Sequence, residues 1–470
     1  MKKNGYDVEI LDAPLEPNPF LYIDRICKEK DILAVGFTVK TGPPLLFAMQ
    51  ASYYIKRNYP DIVIMWGGVL PTSMPEEVLR QTFADYVVVG HGEESSLAIC
   101  NAVRDGKRDI EYPGVCYLKN NELYFTMQGP FSHHHPADWD ILGDKINAEQ
   151  SPYLAALMLS KGCPFRCSFC YHQNTLDLLS PQTQRWFPKP METVLQEIDT
   201  LRARGVNVLT FIDDCTLMNK NRVKLLSKEL RSREVYIEQC ISHVNTLDSE
   251  VIEEIAPFTQ QIAYSIETVS PRLQKILNKR VSVDHVKEVD KALARNDVNS
   301  IHNFIFGIPS ETDEDLRKII ELAVQLRQIN PYLRLTGIFC IPYPNSTLEG
   351  WLIENRKISI TRDLRILSTA DMYSRSISPV YQPWITDPDD KQFYEDFYYL
   401  FDAVFASWFN SDDERVKSLL KVKRLARLFE PALGLEPVPG KAPYLLDEQL
   451  QAPDTPYPLV KKRFLTDRVG

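Results

Sequence analysis

The chain has 470 residues, 44% hydrophobic and 25% charged, long enough for two to four domains of about 100–200 residues each. That balance excludes a disordered or collagen-like polypeptide, and 54 basic against 63 acidic residues leave a net charge of −9, which argues against nonspecific nucleic-acid binding. Nine cysteines, odd in number and mostly scattered, do not suit a disulfide framework, yet three of them fall within residues 163–170.

No stretch reads as a membrane span: the most apolar one, 32–49, is broken by Lys40, Gly42, Pro43 and Pro44. Lys2 and Lys3 have no apolar segment behind them, so no signal peptide is expected, and the cytoplasm is the expected compartment. Residues 8–11 predict a strand, 21–28 a helix, 32–38 a second strand, 45–58 a helix and 62–66 a third strand ending in Gly67 and Gly68. A helix at 76–83 and a fourth strand at 86–89, ending in Gly90 and Gly92, complete the pattern. β-branched runs separated by helices predict a parallel sheet covered on both faces, with ligands at its carboxyl edge.

Residues 112–152 form a connection with a predicted hairpin (114–118 and 122–126) and then His133, His134 and His135, read as a solvated linker rather than a metal site. The alternation then resumes. Strands are predicted at 155–160, 208–212, 237–242, 262–266, 302–306 and 334–340, with helices at 191–204, 221–231, 284–295 and 312–328. Six such units predict an incomplete barrel, since a full eightfold one needs about 250 residues. The region after residue 362 is expected to be mostly helical, with an aromatic helix at 393–409, an amphipathic basic one at 413–429, and a proline-rich end.

Cys163, Cys167 and Cys170 have the spacing C-x3-C-x2-C. No second CxxC pair exists to close a zinc site, although His172 offers a fourth ligand. Three thiolates instead suit a [4Fe–4S] cluster with one iron left open to a chelating substrate.

With the aromatic Phe169 before the last cysteine, and with the motif just after the first barrel strand, this segment resembles the radical S-adenosylmethionine (SAM) superfamily over residues 154–344. The resemblance implies that the three cysteines bind three irons and that SAM chelates the fourth. It implies Phe169 near the adenine, Asp213 and Asp214 near the SAM amino group, and Glu267 at the ribose. Gly307 stands in the family's Gly-x-Pro-x-Glu-Thr turn. One of the two aspartates also reads as a helix cap. Cys215, Cys240, Cys340, His243 and Tyr373 have no assigned role, and no catalytic residue is named.

The order Trp66-Gly67-Gly68, then Asp85 to Glu93, is similar to the cobalamin (B12)-binding domain that precedes many radical SAM enzymes. There Thr38, Gly42, Gly67, Gly68, Gly90 and Gly92 would line a corrin. Relatives begin with a further strand and helix, so the expected domain is a truncated one. The expected organisation is α/β: an N-terminal Rossmann-like cobalamin-binding domain (1–125), a linker (126–152), a central partial (β/α)6 TIM-like radical SAM barrel (153–362) and a mostly helical C-terminal cap (363–470). By resemblance, one-electron reduction cleaves SAM to a 5′-deoxyadenosyl radical, and the expected outcome is methylation of an unactivated carbon or phosphorus. Alternatives are cyclisation or rearrangement with a degenerate B12 domain, and a non-catalytic iron–sulfur or zinc protein. The expected partners are a small-molecule substrate and a reductant such as flavodoxin or ferredoxin, with neither nucleic acid nor membrane.

Overall fold

The computed structural model describes residues 1–126, 136–141, 155–172, 185–331, 333–370, 374–406, 413–433 and 435. The triple histidine and Tyr373 lie outside the described residues. Helix Pro19–Glu29 (α1) starts at Asn18, whose side chain accepts the Leu21 N–H, with Pro19 at its first position. Strands Ala34–Thr38 (β1), Val63–Gly67 (β2) and Tyr86–Val88 (β3) run parallel, and Val115–Lys119 (β4) with Glu122–Phe125 (β5) extend the sheet as the expected hairpin. Helices Pro43–Asn58 (α2), Val69–Ser73 (α3), Pro75–Gln81 (α4) and Glu93–Arg104 (α5) link these strands. Ile64 and Trp66 bury against Leu45, Ile55 and Val78 on one face; Val63 and Met65 bury with Ile99 on the other. That double burial is why β2 reads as an uninterrupted apolar run.

Residues 8–11 do not form the expected strand. An alternating pattern needs a neighbouring ladder, and here the polar side chains turn to the end of α1: Lys30 holds Glu9 at 2.6 Å and Asp7 at 3.0 Å. β1 is therefore an edge of the sheet, and the three parallel strands follow chain order without reversal.

The second unit starts with Ala156–Leu157 (β6). Ser160–Gly162 (β7) then pairs antiparallel with Trp186–Pro188 (β8). Val208–Phe211 (β9), Tyr236–Ile241 (β10), Thr259–Glu267 (β11), Asn299–Phe306 (β12) and Arg334–Phe339 (β13) complete a six-stranded parallel sheet in the order β13-β12-β11-β10-β9-β6. Strands predicted from sequence thus appear, except that 155–160 divides into β6 and β7. The cause is Asp213, whose carboxylate takes the Leu159 N–H out of the ladder. Both sheet edges are unpaired among the described strands, so this is an open, partial barrel.

Its outer layer contains Met191–Ala203 (α6), Lys220–Arg233 (α7), Ser249–Ile255 (α8), Pro271–Leu277 (α9), Val283–Arg295 (α10) and Asp313–Ile329 (α11). A capping box between Thr312 and Asp315 starts α11. After Thr347–Arg356 (α12), Leu364–Thr369 (α13) returns to the first domain, and Leu364 and Leu367 bury in the same cluster as Leu45 and Ile55. Pro388–Phe405 (α14) was expected in a cap over the barrel. It lies instead on the helix side of β12 and β13, where Phe397 and Phe401 each pack at 5.0 Å from Phe306. It occupies the position of the barrel's last outer helix. Glu414–Leu419 (α15) and Lys423–Phe429 (α16) follow. Among the described residues, no helix is long and apolar enough to cross a membrane.

A Cβ on Gly337 would stand 2.2 Å from a Phe306 ring carbon, whereas one on Gly350 in α12 meets nothing within 4 Å. Gly337→Ala is expected to destabilise by about 1–3 kcal/mol through overpacking, and Gly350→Ala to be neutral or stabilising. Urea titrations of the two variants against wild type check this.

Candidate functional site

The cysteine segment hangs between β7 and α9. Asp213, at the tip of β9 and 1% exposed, accepts from Leu159 N at 2.9 Å and from Ser160 Oγ at 2.5 Å. Burial raises its carboxyl to about 6, despite these donors. Both its oxygens are thus turned onto the chain between β6 and the cysteines. Asp214 instead accepts from Gly162 N at 3.0 Å and contacts His172 Nε2, so it ties the two ends of the cysteine segment. Of the two aspartates, Asp214 is the one that faces this segment.

Ser168 anchors the middle: its N–H donates to Leu277 O at 2.8 Å and its hydroxyl to Ile276 O at 2.7 Å. Phe169 packs on the apolar cluster of Leu273, Leu277, Ile305 and Cys340. Burial pushes the Cys163 and Cys170 thiols up to about 12, and each is influenced by neighbouring cysteines. Burial also raises Cys167, and the ammonium of Lys279 opposes that rise. Thiols in this setting ionise when a metal centre supplies the positive charge. Among the described residues no three His, Cys, Asp or Glu side chains form a preformed metal cage. The fit to iron rests on the donor set: three thiols on one short, anchored loop.

Glu267 ends β11 with φ +66°, a left-handed conformation that is strained for a side chain of this size. The register of β11 against β12 shifts at this point. Its carboxylate, 5% exposed, accepts from Lys279 Nζ at 2.9 Å. His243, at the end of β10, stacks on Phe165 with ring centroids 3.6 Å apart. Burial, and then Lys279, lower its imidazole to about 3, so it is neutral near pH 7. Cys215 accepts from the His243 N–H at 3.3 Å and lies by Ser242 Oγ. A 330 Å³ cavity lined by Phe165, Cys167, His243 and Lys279 opens beside the loop. Cys240 and Cys340 are fully buried hydrophobes.

Gly307 has φ +69°. Its N–H donates to Glu311 Oε2 at 2.8 Å and its carbonyl accepts from Trp384 Nε1 at 3.0 Å. The expected SAM contact is thus a turn gripped by the segment leading into α14.

In the first domain, Thr38, Gly67 and Gly68 meet at the carboxyl edge of β1 and β2. Gly68 has φ +97°, and a Cβ there would stand 3.0 Å from the Val39 backbone. Gly90 N donates to Thr72 Oγ1 at 3.1 Å, and Gly92 precedes α5. Gly42 N donates to Leu367 O at 3.0 Å, so its close approach is to α13. This edge meets the barrel mouth: Glu93 pairs with Lys161, and Asn345 Nδ2 donates to Ser73 O at 2.5 Å. Sequence reading gave no role to Lys279, Lys161 or Glu93, although Lys161 adjoins the first cysteine and Glu93 closes the B12-like order.

Two family models match this arrangement, one described as the B12 binding domain over residues 1–99 and one as the Radical SAM superfamily over residues 157–323. The chain thus carries a radical SAM domain with a B12-binding domain ahead of it, and it is an enzyme. Among curated relatives, it is 27% identical over 384 residues to a Pyrococcus horikoshii protein named uncharacterized methyltransferase PH0819, covering 79% of this chain and 80% of the relative. It is 24% identical over 374 residues to the anaerobic magnesium-protoporphyrin IX monomethyl ester cyclase of Rubrivivax gelatinosus, covering 74% of this chain and 63% of the cyclase. Its fold is similar to that of the cobalamin-dependent SAM radical enzyme OxsB, solved with aqua-cobalamin and SAM, at TM-score 0.63 and 14% identity, over 87% of this chain and 65% of that one.

Burial raises Glu311 to about 8, with the Gly307 N–H and the Tyr394 hydroxyl opposing the rise. The folded protein therefore holds this proton at pH 7, while the unfolded chain, near the ordinary 4.5, releases it. Stability is lost as pH rises from about 4.5 through about 8. Glu311→Gln keeps an acceptor for Gly307 and has no proton to lose. Its stability relative to wild type is expected to grow between pH 5 and pH 8 in denaturant titrations; a constant difference counts against this.

Proposed function

We propose that this enzyme is a cobalamin-dependent radical SAM methyltransferase acting on an unactivated carbon, or a phosphorus, of a small-molecule biosynthetic intermediate. The observation that carries this is the meeting of two ligand edges. The glycine-lined edge of the first sheet is bonded, through Glu93–Lys161 and Asn345–Ser73, to the mouth of the barrel that bears the cysteines. An enzyme that uses a methyl carrier and a radical source on one substrate needs them on facing surfaces.

On this reading Cys163, Cys167 and Cys170 hold three irons of a [4Fe–4S] cluster. Phe169, Asp214 and Glu267 lie where SAM would bind, with Gly307 shaping the turn beneath. Asp213 positions the cysteine loop. Thr38, Gly67, Gly68, Gly90 and Gly92 face the corrin, with Gly42 serving the turn under α13. The domains divide at 1–125, 126–152, 153–362 and 363–470. Together the three bound groups supply a hydrogen-abstracting radical and a methyl donor.

The chain's own part is positioning. Lys279, held by Glu267, puts a cation beside the Cys167 thiolate. The neutral ring of His243 against Phe165 packs the loop without adding charge. The apolar cluster under Phe169 keeps water from the reacting centre. A small-molecule substrate and a one-electron reductant are needed, and flavodoxin or ferredoxin fits the second role. The likeness to a cyclase named for ring formation favours one second reading, radical cyclisation at the same site.

Cys167→Ala is expected to lose the iron absorbance and the cleavage of SAM to 5′-deoxyadenosine after anaerobic reconstitution, while Cys116→Ala, in the first domain's core, keeps both. The colourless zinc protein predicted by the non-catalytic alternative would defeat the proposal. Reconstitution with hydroxocobalamin is expected to leave corrin absorbance on the desalted protein. Cluster and SAM cleavage without corrin would favour cyclisation.

A further inference from the structure

The barrel strands sort their side chains by face. Leu209, Phe211, Ile237, Cys240, Ile262, Tyr264, Phe304 and Phe306 join the helix-side core. The alternate positions therefore face the lumen. There, polar side chains join neighbouring strands. Thr210 Oγ1 donates to Glu238 Oε2 at 2.7 Å, Gln261 Nε2 to Gln239 Oε1 at 2.5 Å, Asn303 Nδ2 to Ser265 Oγ at 3.4 Å, and Thr336 Oγ1 to Asn303 Oδ1. Nearer the mouth the same face turns apolar. Ile212, Ile241 and Ile338 are 45%, 38% and 37% exposed, although they lie at the tips of a central sheet.

Among the described lumen-facing strand residues that carry these bonds, Glu238 is the charged one; Arg334, a cation at an alternate position of β13, lies three strands away. Its carboxylate has a hydroxyl partner, Thr210, and no cation within ion-pairing distance among the described residues. It also stands where the β9–β10 register slips, between Ile237 and Gln239, so the strand carries an extra residue at that point. Bulges commonly re-aim a side chain beside a functional site. A half-buried carboxylate with one neutral donor gains most from a cationic partner.

We propose that the lumen selects substrates with a protonated nitrogen, which pairs with Glu238, and an apolar stretch that rises past Ile241 to the mouth. Ile241 lies three positions along the strand from Glu238, so the charged end and the apolar mouth are about 10 Å apart. The Gln239 amide, between the two, accommodates a hydroxyl or carbonyl group. Beside Glu238 an anionic substrate end is disfavoured, because it would leave that carboxylate facing a like charge.

This inference rests on the radical SAM reading, and the test keeps the two apart. Cluster absorbance and SAM cleavage are recorded first on the anaerobically reconstituted holoenzyme; their absence defeats the reading itself. On the same sample, binding of hexylammonium, hexanol and hexanoate is measured by saturation-transfer NMR in competition. Wild type is expected to prefer hexylammonium over hexanoate by about tenfold or more. Glu238→Gln is expected to remove that preference, and Glu238→Lys to reverse it. Thr210→Val, which leaves the charge in place, is expected to retain it. Equal binding of the three probes to wild type, or a preference for hexanoate, overturns the proposal even if no variant folds. A preference for hexylammonium that survives Glu238→Gln also overturns it.

Discussion

The carboxylate of Asp213 is the fastening on which the site depends. It holds the backbone of Leu159 and the hydroxyl of Ser160, and so fixes the stretch of chain that delivers the first cysteine. It does so by interrupting the barrel's first strand, which stops at Leu157, after which the chain restarts as the antiparallel partner of β8. A loop that must wrap a metal centre cannot also stay in a ladder. One buried acid settles the conflict by taking the released N–H, a group that would otherwise be left unpaired in the interior. Asp214 then faces outward to Gly162 and His172, so adjacent residues on one strand tip carry different duties.

A second constraint sits at Glu267. A glutamate in left-handed conformation persists only where its surroundings hold it there, and Lys279 supplies that hold from the turn after α9. The same lysine acts on Cys167 and His243, so one buried cation is shared by three groups of the site. Its placement makes the tip of β11 and the cysteine loop a single electrostatic unit.

Much of this was legible in the sequence because burial wrote it there. Barrel strands β9 to β13 alternate between a helix-facing core and a lumen, and β2 is apolar on both faces, so period and composition located them. The cysteine spacing was legible because a cluster needs three thiols within reach of one another. The failures have physical causes. Residues 8–11 have the apolar run of a strand, but among the described residues they pair with none, and Asp7 and Glu9 turn to Lys30. Phe393, Phe397, Phe401 and Phe405 repeat at helical spacing and betrayed a helix, but nothing in that spacing says which surface they bury against. Lys279 escaped notice, and Glu93 its pairing, because a lone charge in sequence looks solvated until its partner from a distant element is in place.

Helix α13 has a mechanical consequence. The chain leaves the first domain once to build the barrel, then comes back: Leu364 N donates to Gln81 Oε1, Gln81 donates to Arg362 O, and Leu367 O receives Gly42 N. From there it returns to the barrel, where Gln382 donates to Cys340 O. A body on a single tether can swing in any direction. A body crossed by several passes of the same chain is left mainly with rotation about the line that joins them. Any opening that admits a large ligand between the two edges would therefore follow one preferred axis, like a book turning on its spine, and the spine runs past Gly42.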